Sequence, residues 1–131
     1  MLVALPMSSR RSPSVLIADD DESILDLLVQ GFEMFGCQVF TAANGRDAWT
    51  LFNGRQVDIV LTDFQMPGLN GAQLSHRIRN HSPSIRIGVM TGGNDHTAID
   101  LLEDGTVDCY FRKPFDLIRV CEAMIGEAQT A

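Results

Sequence analysis

Lysine is almost absent from this sequence: nine of its ten basic residues are arginine, and only Lys113 is lysine. Seventeen acidic residues outnumber those ten and give a net charge of −7, a poor match for the phosphate backbone of nucleic acids. No apolar run approaches the roughly 18 residues that a membrane span needs. The apolar start is too short for a signal peptide and precedes its basic pair, Arg10 and Arg11. We therefore expect a cytoplasmic protein that binds neither nucleic acid nor a membrane directly.

Cysteine is also scarce. Cys37, Cys109 and Cys121 are odd in number and show no Cys-x-x-Cys or Cys/His spacing, so we interpret them as buried, reduced thiols and predict no zinc site. With 131 residues, 45% of them hydrophobic and 21% charged, the chain has the size and composition of one globular domain with a substantial core.

Apolar runs typical of strands alternate with helical periodicity along the chain. After a flexible leader, residues 1–13, the first strand is predicted at 15–19 and the first helix at 21–35, with Asp21 as its N-cap and Gly36 at its end. The four later strands are predicted at 38–42, 57–62, 85–90 and 107–111, and the helices after them at 45–52, up to about 80, 95–103 and 115–127.

This alternation of strands and helices predicts parallel βαβ units with helices on both faces of one sheet. We expect an α/β fold: a doubly wound, five-stranded parallel sheet of order 2-1-3-4-5, a flavodoxin-like three-layer sandwich. Mixed residues in the second strand indicate an edge position, whereas the first, third and fourth strands are apolar enough to be central. The domain is predicted to span residues 14–128, with a short tail at 129–131.

Polar residues lie at the carboxyl ends of four predicted strands, the edge at which such sheets bind ligands. These residues are Asp19, Asp20 and Asp21 at the end of strand 1, Asp63 after strand 3, Thr91 after strand 4 and Lys113 after strand 5. If Asp19, Asp20 and Asp63 lay close together there, they would raise each other's pKa values unless a cation lay between them. Oxygen ligands without a nearby histidine or cysteine favour Mg²⁺, with Mn²⁺ as a possible substitute.

A divalent ion beside Lys113 and the Thr91 hydroxyl is suited to phosphoryl transfer. Asp63 could be the nucleophile and form an aspartyl phosphate, or it could bind only the metal while the phosphoryl group passes to water. Each residue alone has an ordinary explanation: acids favour a helix N-terminus, and a lone lysine is usually a surface residue. Their coincidence at four strand ends favours a common site.

Four segments in this order resemble the receiver domain of two-component response regulators. Their sequences are VLIADDDESILDLL at 15–28, VDIVLTDFQMPGLNG at 57–71, VMTG at 89–92 and VDCYFRKPF at 107–115. The resemblance covers nearly the whole chain. It implies a signalling domain that accepts a phosphoryl group from the phosphohistidine of a sensor histidine kinase, or from a phosphotransfer protein, and that is not an enzyme acting on a free metabolite.

The resemblance also implies which residues carry out this reaction. Asp63 would be the phosphoacceptor. Asp20 would be a direct Mg²⁺ ligand and Asp19 would hold a metal-bound water, while Asp63 and the backbone carbonyl of Gln65 complete the metal site. No organic cofactor is expected.

Two further positions match the switch residues of the family. Thr91 would bond a phosphoryl oxygen together with Lys113, whose peptide bond to Pro114 is expected to be cis. Tyr110 would then turn inward and change the surface formed by helix 4, strand 5 and helix 5, which an output protein or domain would recognise. Gly93 places no acidic or amide side chain near an attacking water, and we expect Gln65 and Gly93 together to set a distinctive rate of autodephosphorylation.

Three alternative functions fit the sequence less well. A phosphatase of the haloacid-dehalogenase type would need an acid where Gln65 stands, and a flavodoxin-like FMN carrier would need a phosphate-binding loop where three aspartates stand. A degenerate receiver is disfavoured because Asp63, Thr91 and Lys113 are all present. The domain could act alone or belong to a longer regulator, and Met1 with the leader favours an N-terminal position.

Overall fold

The computed structural model describes residues 12–93 and 95–130, with side chains up to residue 126. The predicted leader, apart from residues 12 and 13, lies outside this range, as does residue 131. The strands are β1 (Ser14–Ala18), β2 (Gln38–Ala42), β3 (Ile59–Asp63), β4 (Arg86–Thr91) and β5 (Cys109–Arg112). The helices are α1 (Glu22–Met34), α2 (Gly45–Gly54), α3 (Gly71–His81), α4 (His96–Glu103) and α5 (Leu117–Thr130).

The five strands form one parallel sheet in the order β2-β1-β3-β4-β5, which confirms the predicted fold class. Every residue of β1 and β3 is buried because helices cover both faces of the sheet. Successive side chains of a strand point to opposite faces, so the core has two parts. One part includes Leu16 and Val60, and the other includes Ile17 and Leu61.

The ends of every strand except β2 differ from the prediction by one or more residues, which changes how the polar residues are held. Asp63 is the last residue of β3, paired with Met90, and the neighbouring Phe64 N–H donates to the Met90 carbonyl at 2.9 Å. Thr91 is likewise the last residue of β4. Asp19 lies one residue beyond β1. Two of the polar residues therefore belong to strands and share their rigidity.

Both predicted ends of the first helix are confirmed. The Asp21 side chain accepts hydrogen bonds from the backbone N–H groups of Ser23 and Ile24, and Gly36 ends the turn after the helix with a φ of +84°. This cap begins α1 immediately after the acidic segment, so the strand-to-helix turn at the sheet edge is short.

The prediction of three buried thiols is wrong for one cysteine. Cys37 and Cys121 are buried, whereas Cys109 is half-buried, because β5 is an edge strand with only partial cover; all three are free of disulfide bonds. Among the described residues, no helix has the length and apolar character that crossing a membrane requires.

Candidate functional site

Three carboxylates meet at the carboxyl ends of β1 and β3. These strands are adjacent, and Ala18 pairs with Thr62, so the residues that follow, Asp19 and Asp63, stand at one level of the sheet. Asp19, Asp20 and Asp63 each place a carboxylate oxygen within 4.8 Å of the others. Asp19 is fully buried and Asp63 is 8% exposed, while Asp20 is open to solvent. The predicted gathering of the three acids is therefore present.

Lys113 reaches this acidic cluster from the end of β5. Its backbone N–H donates to the Thr91 carbonyl at 2.8 Å, which fixes it beside β4, and the peptide bond to Pro114 is cis. The Lys113 ammonium donates to Asp19 Oδ2 at 2.8 Å and lies 3.3 Å from Asp63 Oδ1. The single lysine of the chain thus contacts two of the three acids.

The surroundings raise the pKa values of both Asp63 and Lys113, which disfavours the charge on the acid and favours the charge on the base. Burial, then the nearby Asp19 charge, raises the pKa of Asp63 above its usual value, although Lys113 and the Phe64 N–H act against this rise. Burial disfavours the charge on Lys113, but its hydrogen bond to Asp19 and the attraction of Asp63 outweigh it, so the pKa of Lys113 is raised. Lys113 therefore stays protonated and places a positive charge beside Asp63.

Oxygen chemistry makes the cluster suitable for a hard cation. Asp19 is engaged on both oxygens, since Oδ1 accepts from the Asp21 N–H at 2.9 Å and Oδ2 accepts from Lys113. The exposed carboxylate of Asp20 and the second oxygen of Asp63 are better placed to take a metal ion. Mg²⁺ retains several waters and needs only one or two carboxylates, so this donor set fits it.

Thr91 is held differently from the other polar residues. Its hydroxyl, on a residue only 1% exposed, donates to Asp95 Oδ1 at 2.7 Å. Asp95 Oδ2 in turn accepts from the Arg112 guanidinium at 2.7 and 3.2 Å. Asp95 and Arg112 were not predicted from the sequence; the signal for them is an aspartate four residues after the threonine and an arginine directly before the lysine.

Two further predicted residues are Gln65 and Tyr110. Gln65 is exposed and lines a cavity of about 450 Å³ with Phe64, Gly92 and Thr97. Tyr110 is half-buried and packs against the core on one face of the sheet. The structure thus gathers Asp19, Asp20, Asp63 and Lys113, whereas the Thr91 hydroxyl is bonded to Asp95. Their individual roles stay predictions.

Comparison with known proteins agrees with this arrangement. The family model described as "Response regulator receiver domain" matches residues 15–125. The chain is 38% identical over 105 residues to "DNA-binding transcriptional regulator NtrC" of Azospirillum brasilense, covering 79% of this chain and 22% of that protein. It is 32% identical over 110 residues to "Sporulation initiation phosphotransferase F" of Bacillus subtilis, covering 84% of this chain and 89% of that protein.

A solved structure gives the same result. The response regulator receiver domain protein from Clostridium thermocellum superimposes with a TM-score of 0.81 at 28% identity, covering 90% of this chain and 94% of that one. The chain belongs to the receiver domain family of two-component response regulators, which are signalling phosphoacceptors. It spans about a fifth of the NtrC relative and most of the Bacillus subtilis relative.

Proposed function

We propose that this domain accepts a phosphoryl group on Asp63 from the phosphohistidine of a sensor histidine kinase or a phosphotransfer protein. The observation that supports this best is the placement of Lys113, which lies 3.3 Å from Asp63 while hydrogen bonded to Asp19. That arrangement puts a fixed positive charge beside the oxygen that would carry the phosphate.

The residues that this chain contributes to the transfer lie at the strand ends. A carboxylate oxygen of Asp63 attacks phosphorus and forms the new P–O bond. The P–N bond breaks, its electron pair stays on the imidazole nitrogen of the donor, and that ring takes up a proton. Lys113 offsets the negative charge on the phosphoryl oxygens, because an ammonium in a site shielded from water stabilises such charge strongly.

Asp20, Asp63 and the Gln65 backbone carbonyl would hold Mg²⁺, and Asp19 would orient a water bound to it. When bound, the ion supplies further neutralisation of charge on the phosphoryl oxygens. Burial, followed by the negative charge of Asp19, raises the pKa of Asp63, and a bound cation would offset that charge.

Removal of the phosphoryl group would return the domain to its first state. Water attacks phosphorus, the P–O bond to Asp63 breaks, and inorganic phosphate leaves while Asp63 regains its carboxylate. Self-phosphorylation and this hydrolysis are the only covalent steps, so the domain acts as a switch and not as an enzyme with a free substrate.

Phosphorylation would be read through Thr91 and Tyr110. A phosphoryl group adds charge and three acceptor oxygens beside the end of β4, which favours a conformation in which Thr91 donates to it. Tyr110, one strand further on, would then turn inward and alter the surface of α4, β5 and α5. A partner protein or output domain would recognise that surface. A cytoplasmic location remains the prediction from the sequence.

The test is to incubate the protein with acetyl phosphate and Mg²⁺ and to measure intact mass. The wild type should gain one phosphoryl group and Asp63→Asn should gain none. Asp100→Asn is the matched control, since Asp100 is an exposed aspartate on α4 outside the acidic cluster. Label retained in Asp63→Asn, or found on another residue, would overturn the assignment.

A further inference from the structure

Asp95 stands where an aspartate normally caps a helix, but its side chain does something else. It is the N-cap residue of α4, and its side chain makes no capping hydrogen bond there. One carboxylate oxygen accepts from the Thr91 hydroxyl at 2.7 Å and the other accepts from Arg112. Aspartate favours this position because its side chain can accept from the first backbone N–H groups of the helix. Both oxygens are instead directed to β4 and β5.

The Thr91 hydroxyl can serve only one acceptor as a donor. A hydroxyl carries a single proton, so Thr91 cannot donate to Asp95 and to a phosphoryl oxygen on Asp63 at the same time. The bond to Asp95 is short, its acceptor is charged, and the Thr91 side chain is almost fully buried. Leaving Asp95 therefore costs free energy each time Thr91 turns to the phosphoryl group.

Arg112 fixes the carboxylate that holds Thr91. Its Nη2 and Nε groups donate to the same Asp95 oxygen at 2.7 and 3.2 Å, and the Asp95 side chain is only 11% exposed. The Thr91 hydroxyl, followed by Arg112, lowers the pKa of Asp95, so the carboxylate stays charged near neutral pH. Arg112 also directly precedes Lys113, which links this contact to the strand that delivers the lysine.

We propose that Asp95 is a positioning residue that, clamped by Arg112, holds the Thr91 hydroxyl away from Asp63 and so disfavours the phosphorylated conformation. This inference rests on the proposed phosphorylation of Asp63 and adds a regulatory contact to it. We call the Thr91–Asp95–Arg112 hydrogen-bond chain the tether. It sets the balance between the unphosphorylated and phosphorylated conformations, since the Thr91–Asp95 bond must break before Thr91 can donate to the phosphoryl group.

The experiment measures affinity for beryllofluoride, used with Mg²⁺ as a phosphoryl analogue. Asp95→Ala should bind it more tightly, by about fivefold, because Thr91 no longer has to leave a charged acceptor. Arg112→Ala should shift affinity in the same direction by a smaller factor. Asp100→Ala and Arg119→Ala are the controls, as they remove the same charges from exposed positions on α4 and α5.

A double-mutant cycle separates this role from a merely structural one. In a Thr91→Val background the Asp95→Ala change should leave beryllofluoride affinity unaltered, because the hydroxyl through which Asp95 acts is gone. An equal effect with and without the hydroxyl would overturn the tether. If Asp95→Ala fails to fold, Asp95→Asn, which keeps the shape and loses the charge, should tighten binding by a smaller factor, and unchanged or weaker binding would overturn the inference.

Failure of the proposed function has a different signature. If wild type neither binds beryllofluoride nor gains a phosphoryl group, Asp63 is not a phosphoacceptor and the tether has no reaction to control. If wild type does both while Asp95→Ala matches Asp100→Ala, phosphorylation stands and the tether is refuted.

Discussion

The Lys113 ammonium lies 2.8 Å from the Asp19 carboxylate, although 94 residues separate the two along the chain. Asp19 is fully buried, and Asp63 lies 3.3 Å from the same nitrogen. Lys113 therefore stabilises the fold as well as the site: without it, two close acids would be left with less compensation for their charge.

Lys113→Ala should lower the free energy of unfolding by about 2 kcal/mol without divalent ions, because it leaves a buried carboxylate unpaired at a partly solvated site. Added Mg²⁺ should restore part of this loss, since a cation bound between the acids replaces the missing charge. Denaturant unfolding with and without Mg²⁺ measures both effects. Arg119→Ala, a change at an exposed position on α5, is the control and should show neither the loss of stability nor the recovery with Mg²⁺. If Mg²⁺ left the unfolding free energy of Lys113→Ala unchanged, the acidic cluster would not be a metal site.

Gly71 allows the chain to pass close to the backbone of Asp63. A Cβ placed there would lie 2.2 Å from the Asp63 carbonyl oxygen and 2.8 Å from Phe64 Cα, both backbone atoms that cannot rotate away. Gly71→Ala should therefore displace the end of β3, lower the unfolding free energy by about 3 kcal/mol, and slow phosphorylation of Asp63.

Gly126→Ala is the matched control for this change. Gly126 lies in α5 with open space around its Cα, so alanine should be neutral or stabilise by up to about 1 kcal/mol. Thermal unfolding and the rate of mass gain with acetyl phosphate measure both variants. If Gly71→Ala gained a phosphoryl group at the wild-type rate, the close approach of Gly71 would not be what positions Asp63.

The sequence was sufficient for the fold and for the acidic cluster, for identifiable physical reasons. Apolar runs indicate the central strands, and parallel strands bring their carboxyl ends to one edge of the sheet. The sequence alone therefore predicts that Asp19 and Asp63 lie close together. The partner of the Thr91 hydroxyl could not be predicted, because side-chain direction at a helix start depends on local backbone geometry. An aspartate such as Asp95 predicts a cap from sequence, yet it binds Thr91 and Arg112 instead.

The buried thiols predict a loss of stability at alkaline pH. Burial, followed by a nearby acidic group or thiol, raises the pKa of Cys37 to about 11 and that of Cys121 to about 12, from a reference value of 9.0. Above pH 9 the unfolded chain releases thiol protons that the folded chain keeps, so the unfolded state gains stability as pH rises. The free energy of unfolding should fall between pH 9 and about 12.

The variant Cys37→Ala/Cys121→Ala isolates this effect from other groups that titrate in the same range. Its unfolding free energy, from denaturant curves at several pH values, should decline less steeply above pH 9 than that of the wild type. Cys109→Ala is the control, because that thiol is only half-buried. Equal slopes for wild type and the double variant would contradict the prediction.

Gln65 should influence how long the phosphoryl group survives on Asp63. Its side chain lines the cavity with Phe64 and Gly92, at the opening beside the strand ends, and it is exposed there. Shortening it widens the approach for water, so Gln65→Ala should lose the phosphoryl group faster, by about threefold, which corresponds to less than 1 kcal/mol in the barrier. Gly93, the other residue expected to affect this rate, is a poorer test because its φ of +135° makes any side chain strained. The first-order loss of mass label after removal of acetyl phosphate measures the rate. Gln30→Ala is the control, because Gln30 is an exposed glutamine on α1. A rate in Gln65→Ala equal to that of wild type and Gln30→Ala would mean that water reaches the phosphate by another route.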